Sequence, residues 1–225
     1  MRCVCGARRV PSRRAGAAAL SLDFGATDHN GASTGVYRNF ENLDAATATG
    51  DVVVSATGGT TLLATGAELK NTFCLVRDGY AFISQHIGDL ETAEAMAAFE
   101  RVIADLLRLY DARPVAIAHD MHPDYLATRY ALKRVEIEKI VGIAVQHHHA
   151  HIAACMAENG LSGDKPVIGV AFDGTGYGDD GNIWGGEFLR IAADGYQRMG
   201  YFRLFPLPGG EKAIREPRRA ALGLL

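Results

Sequence analysis

The chain has 225 residues, is 48% hydrophobic and carries a formal net charge of −3 at pH 7. That length suits one large domain or two small ones. The slight negative charge gives no general attraction to nucleic acid, and no apolar run approaches the ~20 residues that would span a membrane. The four cysteines form no recognisable disulfide framework, which favours a reducing, cytoplasmic environment.

Residues 1–58 differ in composition from the rest of the chain. They contain Arg-Arg pairs, an alanine run and many small polar residues, and the stretch Asp23–Gly50 has few large apolar side chains. Such a segment can bury too little apolar surface to offset the entropy of ordering. We interpret residues 1–58 as a poorly ordered linker or the remnant of a preceding module.

From residue 60 onward, hydrophobic periodicity predicts three strands followed by alternating helices and strands. The predicted elements are strands Leu62–Ala64, Asn71–Arg77 and Tyr80–His86, a helix over 91–110 capped by Asp89, strand Val115–His119, a helix over 124–133, strand Ile140–Gln146, and a helix over 147–159 that stops at Gly160. The order β-β-β-α-β-α-β-α is typical of a ribonuclease-H-like lobe, the unit from which actin-like ATPase folds are built.

A second lobe begins in the same way after Lys165. Strand Val167–Phe172 leads into a glycine-rich turn, Asp173–Gly181, and two further strands are predicted over Ile183–Ile191 and Tyr196–Leu204. We therefore predict an α/β, ribonuclease-H-like or actin-like ATPase fold with one complete lobe, residues 59–162, and the start of a second, residues 163–225.

A histidine cluster is the strongest functional signal. If a helix begins near His147, then His147 and His151 share one face and lie within reach of a single metal ion. Asp173, at the carboxyl end of the following strand, is the expected third ligand. Iron and zinc both suit this donor set, whereas the alternative is a polar helix start without metal. His148 and His149 point elsewhere and are predicted to support the site or contact substrate.

Two glycine-containing turns predict phosphate binding. Gly174, Thr175, Gly176 and Gly178 lie between two strands, which excludes a Rossmann site and suits a hairpin phosphate loop. In the first lobe Lys70 and Asn71 end the equivalent turn, where the lysine would neutralise a phosphate. A plain flexible hairpin and a solvated turn lysine are the alternatives.

Two other clusters are weaker candidates. His119, Asp120 and His122 follow a strand and form either a rival metal site or a turn that Asp120 shapes. Arg215 lies in a charged, glycine-containing loop, where it either holds a phosphate or carbamate group bidentately or belongs to a surface turn. We assign catalytic roles to His148, Asp120 and Arg215.

Six motifs, in order over roughly residues 60–220, resemble those of the HypF carbamoyltransferase family. They are Gly66–Phe73 (GAELKNTF), Ser84–Leu90 (SQHIGDL), His119–Tyr125 (HDMHPDY), Val145–His151 (VQHHHAH), Phe172–Gly178 (FDGTGYG) and Gly209–Pro217. The resemblance is to the C-terminal module of that family, which is similar to TsaD-type tRNA threonylcarbamoyltransferases and to antibiotic O-carbamoyltransferases.

The resemblance implies a reaction. Carbamoyl phosphate and ATP give carbamoyl-adenylate, and the carbamoyl group passes to the C-terminal cysteine thiol of a HypE-type partner. Dehydration there gives thiocyanate, the source of cyanide ligands in NiFe-hydrogenase maturation. By motif match, His147 and His151 bind the metal with Asp173 as third ligand, Lys70 lies near the nucleotide phosphates, and the 174–178 turn closes on them.

The sequence also departs from whole HypF proteins. The acylphosphatase-like, zinc-finger and adenylate-forming parts are not recognisable, and the second lobe is incomplete, so the chain resembles a fragment. Two alternative functions follow: a TsaD-like tRNA-modifying protein, or a remnant that binds nucleotide or partner without turnover. The acidic balance and the GAELKN motif disfavour the tRNA-modifying alternative.

Overall fold

The computed structural model describes residues 61–225 apart from 79, 160, 162–164 and 193–194. Before residue 61 it describes only five two-residue strands: β1 Arg8–Arg9, β2 Leu22–Asp23, β3 Val36–Tyr37, β4 Ala46–Thr47 and β5 Val53–Val54. The interpretation of residues 1–58 as a linker or remnant therefore lies outside the described residues. So does the predicted lobe boundary at residues 162–163.

The first sheet contains the predicted three-strand meander and two parallel strands beside it. Its strands after residue 61 are β6 Leu62–Ala64, β7 Cys74–Arg77, β8 Tyr80–Ile83, β9 Ala116–Asp120 and β10 Val141–Val145. Their spatial order is β8-β7-β6-β9-β10, with β1 paired at the β8 edge. The strands β6, β7 and β8 pair antiparallel, whereas β9 and β10 run parallel to β6. This confirms the predicted ribonuclease-H-like lobe.

Helices cover both faces of this sheet. The helices α1 Ala93–Leu109 and α2 Leu126–Glu138 pack on one face, and α3 His147–Glu158 packs on the other. Because both faces are buried, the central strands read as continuous apolar runs. The side of α1 and α2 buries Leu63, Leu90, Phe99, Ile103 and Ile117, and the side of α3 buries Leu62, Cys74, Val76, Ala116 and Ala118.

Two helix starts differ from the sequence prediction. The N-cap of α1 is Thr92, whose Oγ1 accepts a hydrogen bond from Ala95 N, so the assignment of Asp89 as the cap was wrong. Asp89 instead accepts a hydrogen bond from the backbone N–H of Lys70, at 2.7 Å. The first turn of α2 is capped from a distance, because Glu68 Oε2 accepts a hydrogen bond from Leu126 N at 2.6 Å.

The second sheet is an antiparallel meander of β11 Val167–Tyr177, β12 Ile183–Ala192 and β13 Gly195–Tyr201. Two short helices follow, α4 Glu211–Arg215 and α5 Pro217–Leu224. The helix α3 also packs on this sheet, since its Ile152 and Met156 join a core with Ala171, Trp184, Leu189 and Ile191. One helix therefore lies between the two sheets and positions them relative to each other.

The predicted glycine-rich turn at Asp173–Gly181 is wrong in its first half. The strand β11 continues to Tyr177, with a bulge between Phe172 and Gly176, and the chain reverses only after Gly178. The bulge changes which residues face α3: Gly169 and Ala171 face it before the bulge, and Gly176 faces it afterwards.

Among the described residues, β11 is an edge strand of its sheet. Its outward side chains Ile168, Val170 and Phe172 are 60%, 48% and 65% exposed. Of the helices that the structure describes, none combines the length and apolar character needed to cross a bilayer.

We predict that Gly176→Ala destabilises the protein by about 1–3 kcal/mol, the usual range for overpacking a filled core. A Cβ at this position would lie 2.6 Å from His148 Cε1 and 2.8 Å from His147 Cβ. The matched control is Gly200→Ala in β13, where a Cβ would meet only Phe188 Cδ2 at 4.0 Å. Urea unfolding of both variants measures the difference, and equal midpoints would contradict this packing role.

Candidate metal and nucleotide site

The start of α3 is fixed by the residue before it. Gln146 is the N-cap, and its Oε1 accepts a hydrogen bond from His149 N at 2.8 Å. Its Nε2 donates to the carbonyl oxygen of Tyr177 at 3.2 Å. One buried amide thus ties the helix start to β11, so that the histidine cluster and the tip of β11 meet at the carboxyl end of β10.

The structure brings together the three residues predicted as metal ligands. Asp173 Oδ2 lies 2.7 Å from His147 Nε2 and 3.3 Å from His151 Nε2. One potential ligand atom from each residue lies within 4.8 Å of the other two. The His147 side chain is buried, whereas those of His151 and Asp173 are 38% and 36% exposed. The candidate donor group is therefore anchored by a buried histidine, and its other two side chains are partly accessible to solvent.

A fourth side chain orients this group. Asp120 Oδ2 lies 2.7 Å from His147 Nδ1, and both side chains are buried. A carboxylate only accepts hydrogen bonds, so Nδ1 of His147 carries the proton and Nε2 is the atom directed at Asp173. The rival cluster is not assembled as a metal site among the described residues, because His119 Nδ1 donates instead to the carbonyl oxygen of Asp120.

Burial and hydrogen bonds shift the pKa values of several groups at the site. Burial raises the pKa of Asp173, but the hydrogen bonds and positive charges of His147 and His151 outweigh it and hold that pKa well below its usual range. Burial lowers the pKa of His148, and it lowers the pKa of His149 to about 4. The two histidines therefore hold Asp173 in its charged, metal-binding form, and burial favours the neutral forms of the neighbouring His148 and His149.

These donors fit a divalent transition metal. Two imidazole nitrogens and one carboxylate oxygen form the set that iron and zinc accept, and three protein ligands leave positions for water or substrate. A histidine ligand whose other nitrogen donates to a buried carboxylate is also the usual arrangement at metal centres. The donor set that we predict from the sequence thus has, in the structure, a geometry that could bind a metal ion.

His148 is placed differently from the predicted substrate contact. Its ring is fully buried, packs beside Gly176 and lies 6.4 Å from the ring of Trp184. Its Nδ1 lies 3.2 Å from Gln146 Nε2, and its Nε2 has no hydrogen-bond partner among the described residues. In this conformation the ring joins α3 to the second sheet and does not line an open site.

The predicted nucleotide residues of the first lobe divide into two kinds. Lys70 is exposed, with its backbone in the left-handed region at φ +51°. Asn71 is buried, and its Nδ2 donates to the carbonyl oxygens of Thr65 and Ala67. The asparagine therefore shapes the turn from inside, and only the lysine presents its side chain to solvent.

The glycines of the second lobe also differ from one another. Gly176 and Gly178 are packing positions, since a Cβ at Gly178 would lie 2.0 Å from Trp184 Nε1. Gly174 has φ +84° and nothing within 4 Å of its Cβ position, and Thr175 is half-buried beside it. Of the four residues predicted to bind nucleotide in this segment, only Gly174 and Thr175 lie where a phosphate group could approach them directly.

Arg215 belongs to α4 and pairs with Glu91 on the surface of the first lobe, with Nη2 3.4 Å from Oε1. Its side chain is 73% exposed, and Arg215 pairs with a residue outside the candidate metal group found among the described residues. Its predicted role in binding phosphate or carbamate stays a prediction.

Sequence reasoning missed three contributors. Gln146 directly precedes the helix, which is the cap position, but glutamine is not a favoured N-cap. Glu68 lies 58 residues from its partner Leu126, so no local pattern marks it. The ring of His122 stacks on Tyr125 with centroids 4.2 Å apart and meets Tyr177 edge-on at 5.4 Å, an aromatic group that only the fold assembles.

Comparison with known proteins agrees with this geometry. The family model "HypF Kae1-like domain" matches residues 57–158, and the model "Carbamoyltransferase, Kae1-like Domain, second subdomain" of the same family matches residues 169–225. The chain belongs to the HypF family. The resemblance inferred from the six motifs is thereby confirmed.

Individual HypF proteins are similar over most of the chain. Carbamoyltransferase HypF2 from Cupriavidus necator is 48% identical over 170 residues, and carbamoyltransferase HypF from Synechocystis sp. is 47% identical over 164 residues. These matches cover 76% and 73% of this chain but 21% of each relative. The chain thus spans about a fifth of the length of the curated HypF relatives it matches.

A solved HypF structure supports the fold. The crystal structure of full-length HypF in its phosphate- and nucleotide-bound form superposes with a TM-score of 0.68 at 44% identity, covering 80% of this chain and 26% of that one. The fold is therefore shared with a HypF protein of known structure.

We predict that His151→Ala lowers the affinity for zinc at least tenfold, because it removes one of three donors. His151 is preferable to His147 for this test, since His147→Ala would remove the ring that pairs with Oδ2 of the buried Asp120 and would destabilise the fold by about 3–5 kcal/mol. We expect His147→Ala to abolish binding in any folded sample. His86→Ala, at an exposed histidine outside the donor set, is the control. Full metal stoichiometry in both site variants, measured by competition with a chelator, would disprove the ligand assignment.

Proposed function

We propose that this chain provides the carbamoyl-transferring module of a HypF-type carbamoyltransferase. One observation carries the proposal: His147, His151 and Asp173 converge where the two sheets meet, in a chain of the HypF family. The carbamoyltransferase relatives that share this family support the reaction class.

The proposed substrates are carbamoyl phosphate and ATP. Water releases phosphate from carbamoyl phosphate to leave carbamate, and a carbamate oxygen then bonds to the α-phosphorus of ATP and displaces pyrophosphate, which gives carbamoyl-adenylate. The related full-length HypF crystallised in a phosphate- and nucleotide-bound form, which supports nucleotide binding by this fold. In this chain the exposed Lys70 would supply a positive charge for the phosphates, and Gly174 with Thr175 would approach them from the second lobe.

The bound metal would polarise the carbamoyl or phosphate oxygens as a Lewis acid. The residues of the chain have separate tasks: His147, His151 and Asp173 would hold the ion, and Asn71 keeps the Lys70 turn in shape. Asp120 and Gln146 hold the histidines in place. Since His151 and Asp173 are partly exposed, a substrate can reach this side of the donor group.

The proposed acceptor is the C-terminal cysteine thiol of a HypE-type protein in NiFe-hydrogenase maturation. In the transfer, the thiol sulfur bonds to the carbamoyl carbon, the bond from that carbon to the AMP phosphate oxygen breaks, and AMP leaves. The thiol proton passes to solvent or to a base at the site. The products are a protein thiocarbamate and AMP.

The direct test is carbamoyl-dependent AMP formation. We expect the metal-loaded chain, supplied with radiolabelled carbamoyl-adenylate, to release AMP and to move the labelled carbamoyl group onto a peptide ending in cysteine. A peptide ending in serine is the matched control. AMP formation that depends on tRNA would favour the TsaD-like alternative, and nucleotide binding without AMP would favour a non-catalytic remnant. Either result would contradict the proposal.

We also predict that Lys70→Ala weakens ATP binding roughly tenfold, equal to ~1.4 kcal/mol, because it removes one phosphate-directed charge. Zinc affinity should stay unchanged, since Lys70 is not among the metal donors. Lys133→Ala, at an exposed lysine of α2, is the control. Calorimetric titration of the unmodified chain and the two variants with ATP measures the three affinities. Equal ATP affinities would contradict a role for Lys70 in nucleotide binding.

A further inference from the structure

Asp120 occupies an unusual position for a charged side chain. It is the last residue of β9, is 1% exposed, and uses both carboxylate oxygens for different partners. Oδ2 lies 2.7 Å from His147 Nδ1, and Oδ1 accepts a hydrogen bond from His122 N at 2.7 Å. A buried carboxylate is costly unless it is fully hydrogen-bonded, and this one has a partner on each oxygen.

The backbone of Asp120 is fixed as firmly as its side chain. Its carbonyl oxygen accepts hydrogen bonds from Thr128 Oγ1 at 3.0 Å and from His119 Nδ1 at 2.7 Å. Thr128 belongs to α2 and is itself buried. The direction of the carboxylate is therefore set by the first lobe alone, whatever occupies the site beyond His147.

This arrangement determines which nitrogen of His147 faces the second lobe. Because the carboxylate accepts from Nδ1, the ring must present Nε2 to Asp173, which lies 2.7 Å away on β11. We infer that Asp120 is a positioning residue that holds His147 in the orientation and tautomer in which Nε2 binds the metal. The inference rests on the metal site of the proposed function and assigns Asp120 an indirect role, in place of direct contact with the reacting groups.

A purely structural role for Asp120 would have different effects on metal affinity and stability. If Asp120 served only to neutralise a buried ring, its removal would lower stability without selectively changing metal affinity. Carboxylate partners of ligating histidines typically contribute 10–100-fold to metal affinity, because they fix the ring and raise its basicity. Asparagine is the informative replacement, since it keeps the size and the acceptor for His122 but accepts more weakly from Nδ1 and can donate to it.

The experiment uses the full chain with zinc alone as probe. We expect Asp120→Asn to weaken zinc binding 10–100-fold in chelator competition, with the number of ligands unchanged in zinc X-ray absorption spectra. Asp124→Asn is the matched control, because Asp124 is an exposed carboxylate four residues away that pairs with Arg129. Its zinc affinity should stay within twofold of the unmodified chain.

A second measurement needs no variant. In ¹⁵N NMR of the zinc-loaded, unmodified chain, we expect His147 to carry a proton on Nδ1 and to bind zinc through Nε2. Zinc on Nδ1, unchanged affinity in folded Asp120→Asn, or loss of one oxygen ligand in that variant would each overturn the inference. If His151→Ala also binds zinc normally, the proposed metal site itself fails. If His151→Ala loses zinc while Asp120→Asn does not, only the positioning role fails.

Discussion

His147 lies between two carboxylates that come from different sheets. Asp120 belongs to β9 of the first sheet, and Asp173 belongs to β11 of the second, with each imidazole nitrogen 2.7 Å from one of them. A nearly buried imidazole between two carboxylates fixes the separation and rotation of the elements that carry them. The remaining features of the site depend on this linkage, because a shift of either sheet would separate His151 from Asp173.

The helix α3 makes that linkage possible by serving both sheets at once. Its Ala150 packs into the core of the first sheet, and its Ile152 and Met156 pack into the core of the second. Close approach of β11 requires Gly169 and Gly176, where a Cβ would lie 2.2 Å from Ile152 and 2.6 Å from His148 respectively. Gly176 thus lets a strand lie directly against the helix that carries the histidines, and its role in phosphate binding stays a prediction.

Membership of the HypF family gives this geometry its chemical context. The chain shares its motifs and fold with longer proteins, of which its matched residues cover 21% in the two curated relatives and 26% in the solved structure. The candidate site takes its residues from α3 and β11, and not from one loop, so its geometry depends on how these two elements pack together.

Local patterns determined most of the fold and pointed to the candidate metal-binding histidines. The continuous apolar runs of the buried strands, the four-residue spacing of Phe99 and Ile103 in α1, and the same spacing of His147 and His151 in α3 are patterns within single elements. These features were predictable because they depend on neighbouring residues only. The helix caps and the bulge were harder to predict from the sequence. Thr92 and Asp89 are both suitable N-cap residues for α1, and the course of β11 past Asp173 depends on its pairing with β12. Only the tertiary structure decided that Asp120 orients His147, that His148 is enclosed, that Asn71 supports its turn from within and that Arg215 pairs with Glu91. Most of these outcomes depend on contacts between residues far apart in the chain, whose distances are set by the packing of helices and sheets around α3.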